Sequence, residues 1–247
     1  MTILLLVRHG RTTANASGVL AGRLPGVHLD DVGREQARRA GRRLAGVPLR
    51  ALVSSPLDRC RDTAGLLGEE LAGSSHGDNA VPSIEIDPDL AEVDYGSWSG
   101  RALRELARED LWRTVQTQPS AVHFPGGESL AGVSRRAVAC VRGRAERLAD
   151  AGGPETVWLA VSHGDVIKAI LADALGLHLD QFQRLVVGPA SISAVRYTPE
   201  RPYVLAMNTT AGAVADLLPR PEKTGGDPAG TAVGDDAVVG GGAGPTT

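Results

Sequence analysis

Two short apolar runs in this chain end in the same way. Leu4-Leu5-Leu6-Val7 leads into Arg8-His9-Gly10, and Trp158-Leu159-Ala160-Val161 leads into Ser162-His163-Gly164. Each reads as a buried strand that stops at an imidazole and a glycine. Parallel sheets bind ligands in the crevice beyond the carboxyl ends of their strands. The repeat therefore predicts that His9 and His163 share one crevice. Arg8, Asn15, Arg59 and Glu92 complete a candidate set. Two arginines, two histidines and an amide donor suit a phosphoryl group. A phosphate monoester carries roughly −1.5 to −2 charges near neutral pH, and the guanidinium fork matches its oxygens. The helix N-terminus after His163-Gly164 adds backbone N–H donors. In such a site a neutral imidazole attacks phosphorus in line while the cations hold the charge on the equatorial oxygens. Glu92, with a raised pKa, protonates the leaving alkoxide and then activates water.

This scheme requires no metal. The sequence has no His-Glu-x-x-His spacing and no Gly-x-Gly-x-x-Gly after the first strand, so no metal, cofactor or dinucleotide is expected.

The elements that must hold these residues are readable in order. Ile3–Val7 is the first strand. A long Gly-dotted loop, residues 10–30, contains Asn15, Ala21, Gly22 and Arg23, and ordered loops of this length are usually functional. A helix starts near Asp31, with Ala37, Ala40, Gly41 and Leu44 as its apolar stripe. Residues 51–54 form the next strand. Ser55-Pro56 reads as N-cap and first helical position, which puts Arg59 in the first turn, near the crevice. Residues 72–83 read as a polar loop and 84–86 as a short strand. An irregular segment, residues 90–100, carries Glu92. One helix is expected over 101–110, then a turn at Pro125-Gly126-Gly127. A long helix is expected over 128–151, with Leu130, Val133, Ala137, Val141 and Leu148 inward, ended by Gly152-Gly153-Pro154. Residues 156–161 form the second His-Gly strand, 165–175 a helix, and 192–197 with 203–207 an antiparallel hairpin. Strands alternating with helices predict an α/β three-layer domain over residues 1–218. Residues 219–247 are rich in Gly, Ala, Pro and Thr without apolar periodicity, and are expected to be a disordered tail.

The 247 residues are 42% hydrophobic with a formal net charge of −3, which argues against general nucleic-acid or membrane-surface binding. Cys60 and Cys140 are too far apart in sequence, and too few, for a disulfide framework or zinc site. The first apolar run is too short for a signal peptide or a membrane span, so a cytoplasmic location is expected. The expected partner is a small-molecule phosphate monoester. Oligomeric state is left open, a homodimer included.

Taken together, the motifs resemble the histidine phosphatase superfamily, which includes the cofactor-dependent phosphoglycerate mutases. Arg8-His9-Gly10 with Asn15 is similar to its signature. Residues 54–64, Ser-Ser-Pro-Leu-Asp-Arg-Cys-Arg-Asp-Thr-Ala, resemble its second arginine motif. Leu90-Ala91-Glu92 through Tyr95-Gly96 and Trp98 resembles its proton-donor segment. Pro125-Gly126-Gly127-Glu128-Ser129 and Ser162-His163-Gly164 resemble two further elements, and the match spans residues 3 to about 215 in order. The resemblance implies a three-layer α/β/α sandwich with a mostly parallel central sheet. It implies His9 as phosphorylated nucleophile and Glu92 as proton donor. Arg8, Arg59 and His163, followed by Gly164, become the phosphate pocket, with Asn15 assisting. Ala21 and Gly22 approach substrate through backbone, with Arg23 either at the mouth or simply on the surface. Asp165 and Glu128 read as helix-start residues, and His28, His76, His123 and His178 match no motif.

Within that superfamily the glycolytic mutases carry Glu-Arg-His-Tyr-Gly and a longer insertion after it. Here the segment is Glu92-Val93-Asp94-Tyr95-Gly96, with the next elements close behind. Both departures favour a metal-independent phosphatase acting through a phosphohistidine. A mutase-type phosphotransferase and a non-catalytic phospho-ligand binder are the alternatives. The sequence is also similar to an actinobacterial subgroup labelled phosphomutases, a label that carries no evidence of mutase chemistry. Ser99 stands where many broad-specificity phosphatases have Glu, and Arg11 where an acidic or amide residue is usual.

Overall fold

A computed structural model describes residues 1–74, 81–151 and 156–211. The expected tail, His76 and the Gly152-Gly153-Pro154 helix stop lie outside the described residues. The elements run β1 (Thr2–Arg8), α1 (Thr13–Ala16), α2 (Asp31–Arg43), β2 (Leu49–Ser54), α3 (Asp58–Ser74), β3 (Ile84–Ile86), α4 (Leu103–Leu106), α5 (Asp110–Thr117), α6 (Leu130–Ala151), β4 (Thr156–Ser162), α7 (Gly164–Ala174), β5 (Ile192–Tyr197) and β6 (Pro202–Thr209). One six-stranded sheet has the order β3-β2-β4-β1-β5-β6. The first four strands in that order are parallel, while β5 and β6 are antiparallel additions. No helix among the described residues is long and apolar enough to cross a membrane.

The layers follow from strand alternation, which sends successive side chains to opposite faces. Leu4, Leu6, Ala51, Val53, Trp158 and Ala160 join one core cluster with Val133, Ala137, Val141, Ile167 and Ile170 of α6 and α7. Val7, Leu52, Leu159 and Val161 join the other, with Ala40, Cys60, Ala64 and Leu67 of α2 and α3. The sheet is covered on both faces, as a parallel sheet must be.

Three expected boundaries moved, each for a local reason. Ser55 does not cap α3. The helix begins at Asp58, and the Leu57 carbonyl accepts from the Cys60 and Arg61 amides. Within the helix expected over 101–110 only Leu103–Leu106 is helical, and a turn at residues 107–109 separates it from a further helix, α5, that starts at Asp110. Leu106 and Val115 are both fully buried, yet nine residues of one helix would separate them by about 180° of arc. The turn at residues 107–109 lets both face inward. Glu128 precedes α6 rather than starting it; Ser129 instead caps the helix by accepting from the Gly132 amide at 3.0 Å.

Candidate active site

The register of the sheet builds the site. β1 and β4 are adjacent and parallel with Arg8 opposite Ser162, so His9 and His163 leave the sheet side by side. The His9 amide donates to the Ser162 carbonyl at 3.0 Å, and the two rings lie 5.3 Å apart. β2 ends opposite β4 at Ser54 and Val161, and the first turn of α3 then brings Arg59 alongside. β3 ends beside β2, and the chain passes through a short 3-10 turn, Pro88–Leu90, to Glu92. Each parallel strand thus leads to at least one candidate group at its carboxyl end, and β1 to two, Arg8 and His9.

His9 is 2% exposed. Its Nδ1 lies 2.8 Å from the Gly10 carbonyl oxygen. A carbonyl can only accept, so Nδ1 carries the proton and the lone pair is on Nε2. Burial, and then the charges of Arg59 and Arg8, hold the His9 pKa well below its usual 6.5, so the imidazole is neutral. Arg59 Nε lies 3.3 Å from that Nε2, while Nη2 donates to the Gly22 carbonyl at 2.7 Å. Arg59 Nη1 is buried with no hydrogen-bond partner among the described residues. Burying such a donor costs free energy unless something accepts from it, and an anion at the crevice would do so. Arg8 is fully buried and donates through Nη1 to the Val187 carbonyl at 2.8 Å. Burial lowers its pKa to about 10, leaving it a cation.

His163 is the residue before α7, fully buried, and Gly164 opens that helix. Ser55 Oγ is 2.7 Å from His163 Nε2. If that hydroxyl donates, the proton of the neutral ring sits on Nδ1, which faces Glu92 Oε2 at 3.9 Å. Burial, then Arg59, depress the His163 pKa well below 6.5. Glu92 is 3% exposed, and its Oε1 accepts from the Val93 amide at 3.0 Å. Burial and the Asp165 carboxylate outweigh Arg59, that amide and Arg8, raising the Glu92 pKa to about 7. These five groups therefore combine two buried cations, two neutral imidazoles and a carboxyl that keeps its proton to near neutrality.

The remaining expected residues fall into place unevenly. Asn15 Oδ1 is used inside the loop, accepting from Thr12 N and Thr12 Oγ1 as part of the α1 capping box. Gly22 contributes its carbonyl to Arg59, and Ala21 precedes it in the same turn. Arg23 donates to the Glu92 carbonyl at 2.8 Å and pairs with Glu128 at 2.9 Å, so it links the loop to the Glu92 segment. His28, His123 and His178 are at or near the surface.

Sequence reasoning missed the groups that hold these residues. Ser55 sets the His163 ring rather than a helix end. Thr63 Oγ1 donates to the Arg59 carbonyl and accepts from the Gly10 amide, joining the two motifs. Arg136 of α6 donates to Glu128 and to the Glu92 carbonyl. Tyr95 donates to the buried Asp165 at 2.8 Å. The register of β2 against β4 pointed to Ser55; nothing in the sequence marked Arg136.

A crevice at the ends of four parallel strands, with neutral histidine, paired arginines and a protonated carboxyl, belongs to the phosphoryl-transfer class of site. The comparisons with known proteins agree. The model of the histidine phosphatase superfamily (branch 1) matches residues 4–210, and the chain belongs to that family. It is 31% identical over 215 residues to phosphoserine phosphatase 1 of Hydrogenobacter thermophilus, covering 85% of this chain and 93% of that protein. It is 33% identical over 182 residues to glucosyl-3-phosphoglycerate phosphatase of Mycolicibacterium vanbaalenii, covering 72% and 76%. Among solved structures, a mycobacterial glucosyl-3-phosphoglycerate phosphatase in complex with VO3 superposes with a TM-score of 0.70 at 28% identity, covering 83% of this chain and 98% of that one.

Proposed function

We propose that this protein is a metal-independent phosphatase that hydrolyses a small phosphate monoester through a phosphohistidine at His9. The observation that carries this reading is the pairing of neutral His9, its Nε2 lone pair beside Arg59, with a Glu92 carboxyl protonated to about pH 7. His9 Nε2 forms the N–P bond as the ester P–O bond breaks, and Glu92 gives its proton to the leaving alkoxide. Water then attacks phosphorus, the Glu92 carboxylate takes a proton from it, and the N–P bond breaks to release phosphate. Arg8, Arg59 and His163 bind the phosphoryl oxygens, with Asn15, the Gly164 end of α7 and the Ala21-Gly22 turn around them. The two arginines balance a dianion, and their preorganised donors stabilise its transition state. The relatives named as phosphatases support hydrolysis, while relatives named as probable phosphoglycerate mutases, 29% and 30% identical, keep phosphoryl transfer as the second reading.

The test is phosphate release from p-nitrophenyl phosphate and a panel of metabolite monoesters, with chelator present. In parallel, 3-phosphoglycerate with 2,3-bisphosphoglycerate is assayed for isomerisation. Release without isomerisation is expected, and His9→Ala is expected to abolish it while leaving the circular dichroism spectrum unchanged. Isomerisation with little release would favour a mutase. Binding of vanadate without either reaction would favour a non-catalytic phospho-ligand binder.

A further inference from the structure

Behind Glu92 lies a second set of buried polar groups that the hydrolysis scheme does not use. Asp165 is 1% exposed in the first turn of α7, two residues after His163. Its Oδ2 accepts from Tyr95 Oη at 2.8 Å, and its Oδ1 faces Lys168 Nζ, one turn along α7, at 3.9 Å. Lys168 is 3% exposed and donates to Gln183 Oε1 at 3.1 Å. Gln183 Nε2 in turn donates to the Val115 carbonyl at 3.4 Å. Lys168 Nζ also sits 5.7 Å from the centre of the Phe182 ring. Burying a carboxylate and an ammonium costs several kcal/mol per ion unless their surroundings compensate. An α/β core could fill this volume with apolar side chains.

Position explains why charges stand here. Tyr95 belongs to the Glu92 segment, and its ring lies against Gly22, whose carbonyl holds Arg59. The Tyr95–Asp165 bond therefore ties together the turn that orients Arg59, the segment that carries Glu92 and the helix that follows His163. We propose that the buried Tyr95–Asp165–Lys168 cluster is a positioning device for Glu92, in which Tyr95 ties the Glu92 segment to α7 and the Asp165–Lys168 pair supplies the charge beside it. This rests on the hydrolase reading for its consequence, although the charge coupling is independent of turnover.

The charged and titratable groups around Glu92 come from every side. Arg8 lies on β1, Arg59 on α3, His163 at the end of β4, Asp165 and Lys168 on α7, and Tyr95 on its own segment. Arg23 and Arg136 bind its main-chain carbonyl. Among them Asp165 is the one carboxylate, and it is the largest charge acting to raise the Glu92 pKa after burial itself. Lys168 in turn feels both Asp165 and Glu92. A like charge nearby disfavours ionisation and an opposite one favours it. Asp165→Asn retains an oxygen for the Tyr95 hydroxyl but removes the negative charge, so Glu92 ionises at lower pH. Lys168→Gln removes the positive charge, so Glu92 ionises at higher pH.

The experiment titrates Glu92 directly, by the infrared carbonyl stretch of its protonated carboxyl, with the band assigned by its loss in Glu92→Gln. Wild type, Asp165→Asn and Lys168→Gln are compared, and kcat against pH is measured for an alkyl and an aryl phosphate. The expected result is a midpoint lowered by about one pH unit in Asp165→Asn and raised in Lys168→Gln. The alkaline limb of the alkyl-phosphate profile follows each shift, and the aryl profile follows it less. A purely structural role would lower both rates without moving the midpoint. An unmoved midpoint in both variants overturns the proposal even in an active phosphatase. Should Asp165→Asn not fold, Lys168→Gln decides alone: a midpoint that stays or falls overturns the proposal. Opposed midpoint shifts without phosphate release from wild type would support the coupling and overturn the hydrolase reading instead.

Discussion

At the scale of single residues, the site works by fixing protonation states before substrate arrives. The Gly10 carbonyl assigns the His9 proton to Nδ1, and burial beside two arginines keeps the ring neutral at physiological pH. Both conditions fit the nucleophile role proposed for His9, because an imidazolium has no lone pair to offer. Glu92 is tuned in the opposite sense, retaining a proton that an exposed glutamate would have lost. The worth of that proton depends on the leaving group. An alkoxide is a strong base and needs protonation as it departs, whereas p-nitrophenolate does not. General acid catalysis typically contributes about 10²–10⁴-fold. Glu92→Gln is therefore expected to lower kcat for an alkyl phosphate by about that factor and for p-nitrophenyl phosphate by much less. Single-turnover rates on the two substrates check this, and equal losses would remove Glu92 from the proton-donor role.

At the scale of elements, the proposed catalytic groups are held by close backbone approaches that side chains would forbid. Gly33, in the first turn of α2, has no room for a Cβ, which would collide with the Arg11 carbonyl oxygen and stand 2.7 Å from the Arg11 amide. The helix can therefore press against the chain directly after His9-Gly10. Gly33→Ala is expected to destabilise the protein by several kcal/mol, as overpacking against unyielding backbone does, and to lower kcat through a displaced His9. Urea unfolding and kcat on the same sample check both effects. Gly96 plays the matching part for Glu92, since a Cβ there would meet the Pro125 carbonyl. Pro125-Gly126-Gly127 thus acts on the site as a backbone brace. Such roles explain what was legible in the sequence and what was not. The strands, the order of motifs and the meeting of His9 with His163 were legible, because a strand's end locates its last residue whatever its partners are. Ser55 was misread because Ser-Pro is also a helix start, and its partner His163 is 108 residues away. The turn at residues 107–109 and the helix α5 after it carry no Gly or Pro signal, and local periodicity cannot report that Leu106 and Val115 must face the same core. The Tyr95–Asp165 bond joins residues 70 apart, and no local pattern signals it.

At the scale of the whole molecule, the family match ends at residue 210, close to the last described strand, β6. From their composition alone, we propose that residues 219–247 lie outside the catalytic domain. A chain ending at Leu218 is expected to keep both its melting temperature and its rate, measured against the full chain in one buffer. The buried site also sets how folding stability varies with pH. His9 and His163 have pKa values well below 6.5 when folded, so the unfolded chain binds more protons there under mildly acidic conditions. Their neutrality therefore costs stability as pH falls below about 6.5. Glu92 has the opposite sign. Its pKa rises from 4.5 unfolded to about 7 folded, so the folded chain holds the extra proton across that window and loses stability as pH climbs through it. From pH 4.5 to about 6.5 the two histidines outweigh one carboxyl and stability should rise; towards pH 7 the unfolded histidines are still partly protonated, the opposing contributions nearly cancel and stability should level off. Glu92→Gln isolates the carboxyl, because its stability relative to wild type should grow with pH between 4.5 and 7 and then level off. A shift of this size corresponds to about 3 kcal/mol over the full window, as an upper bound. Urea midpoints of both proteins at half-unit pH intervals measure it, and a difference that does not change with pH would mean that Glu92 titrates alike in the folded and unfolded chain.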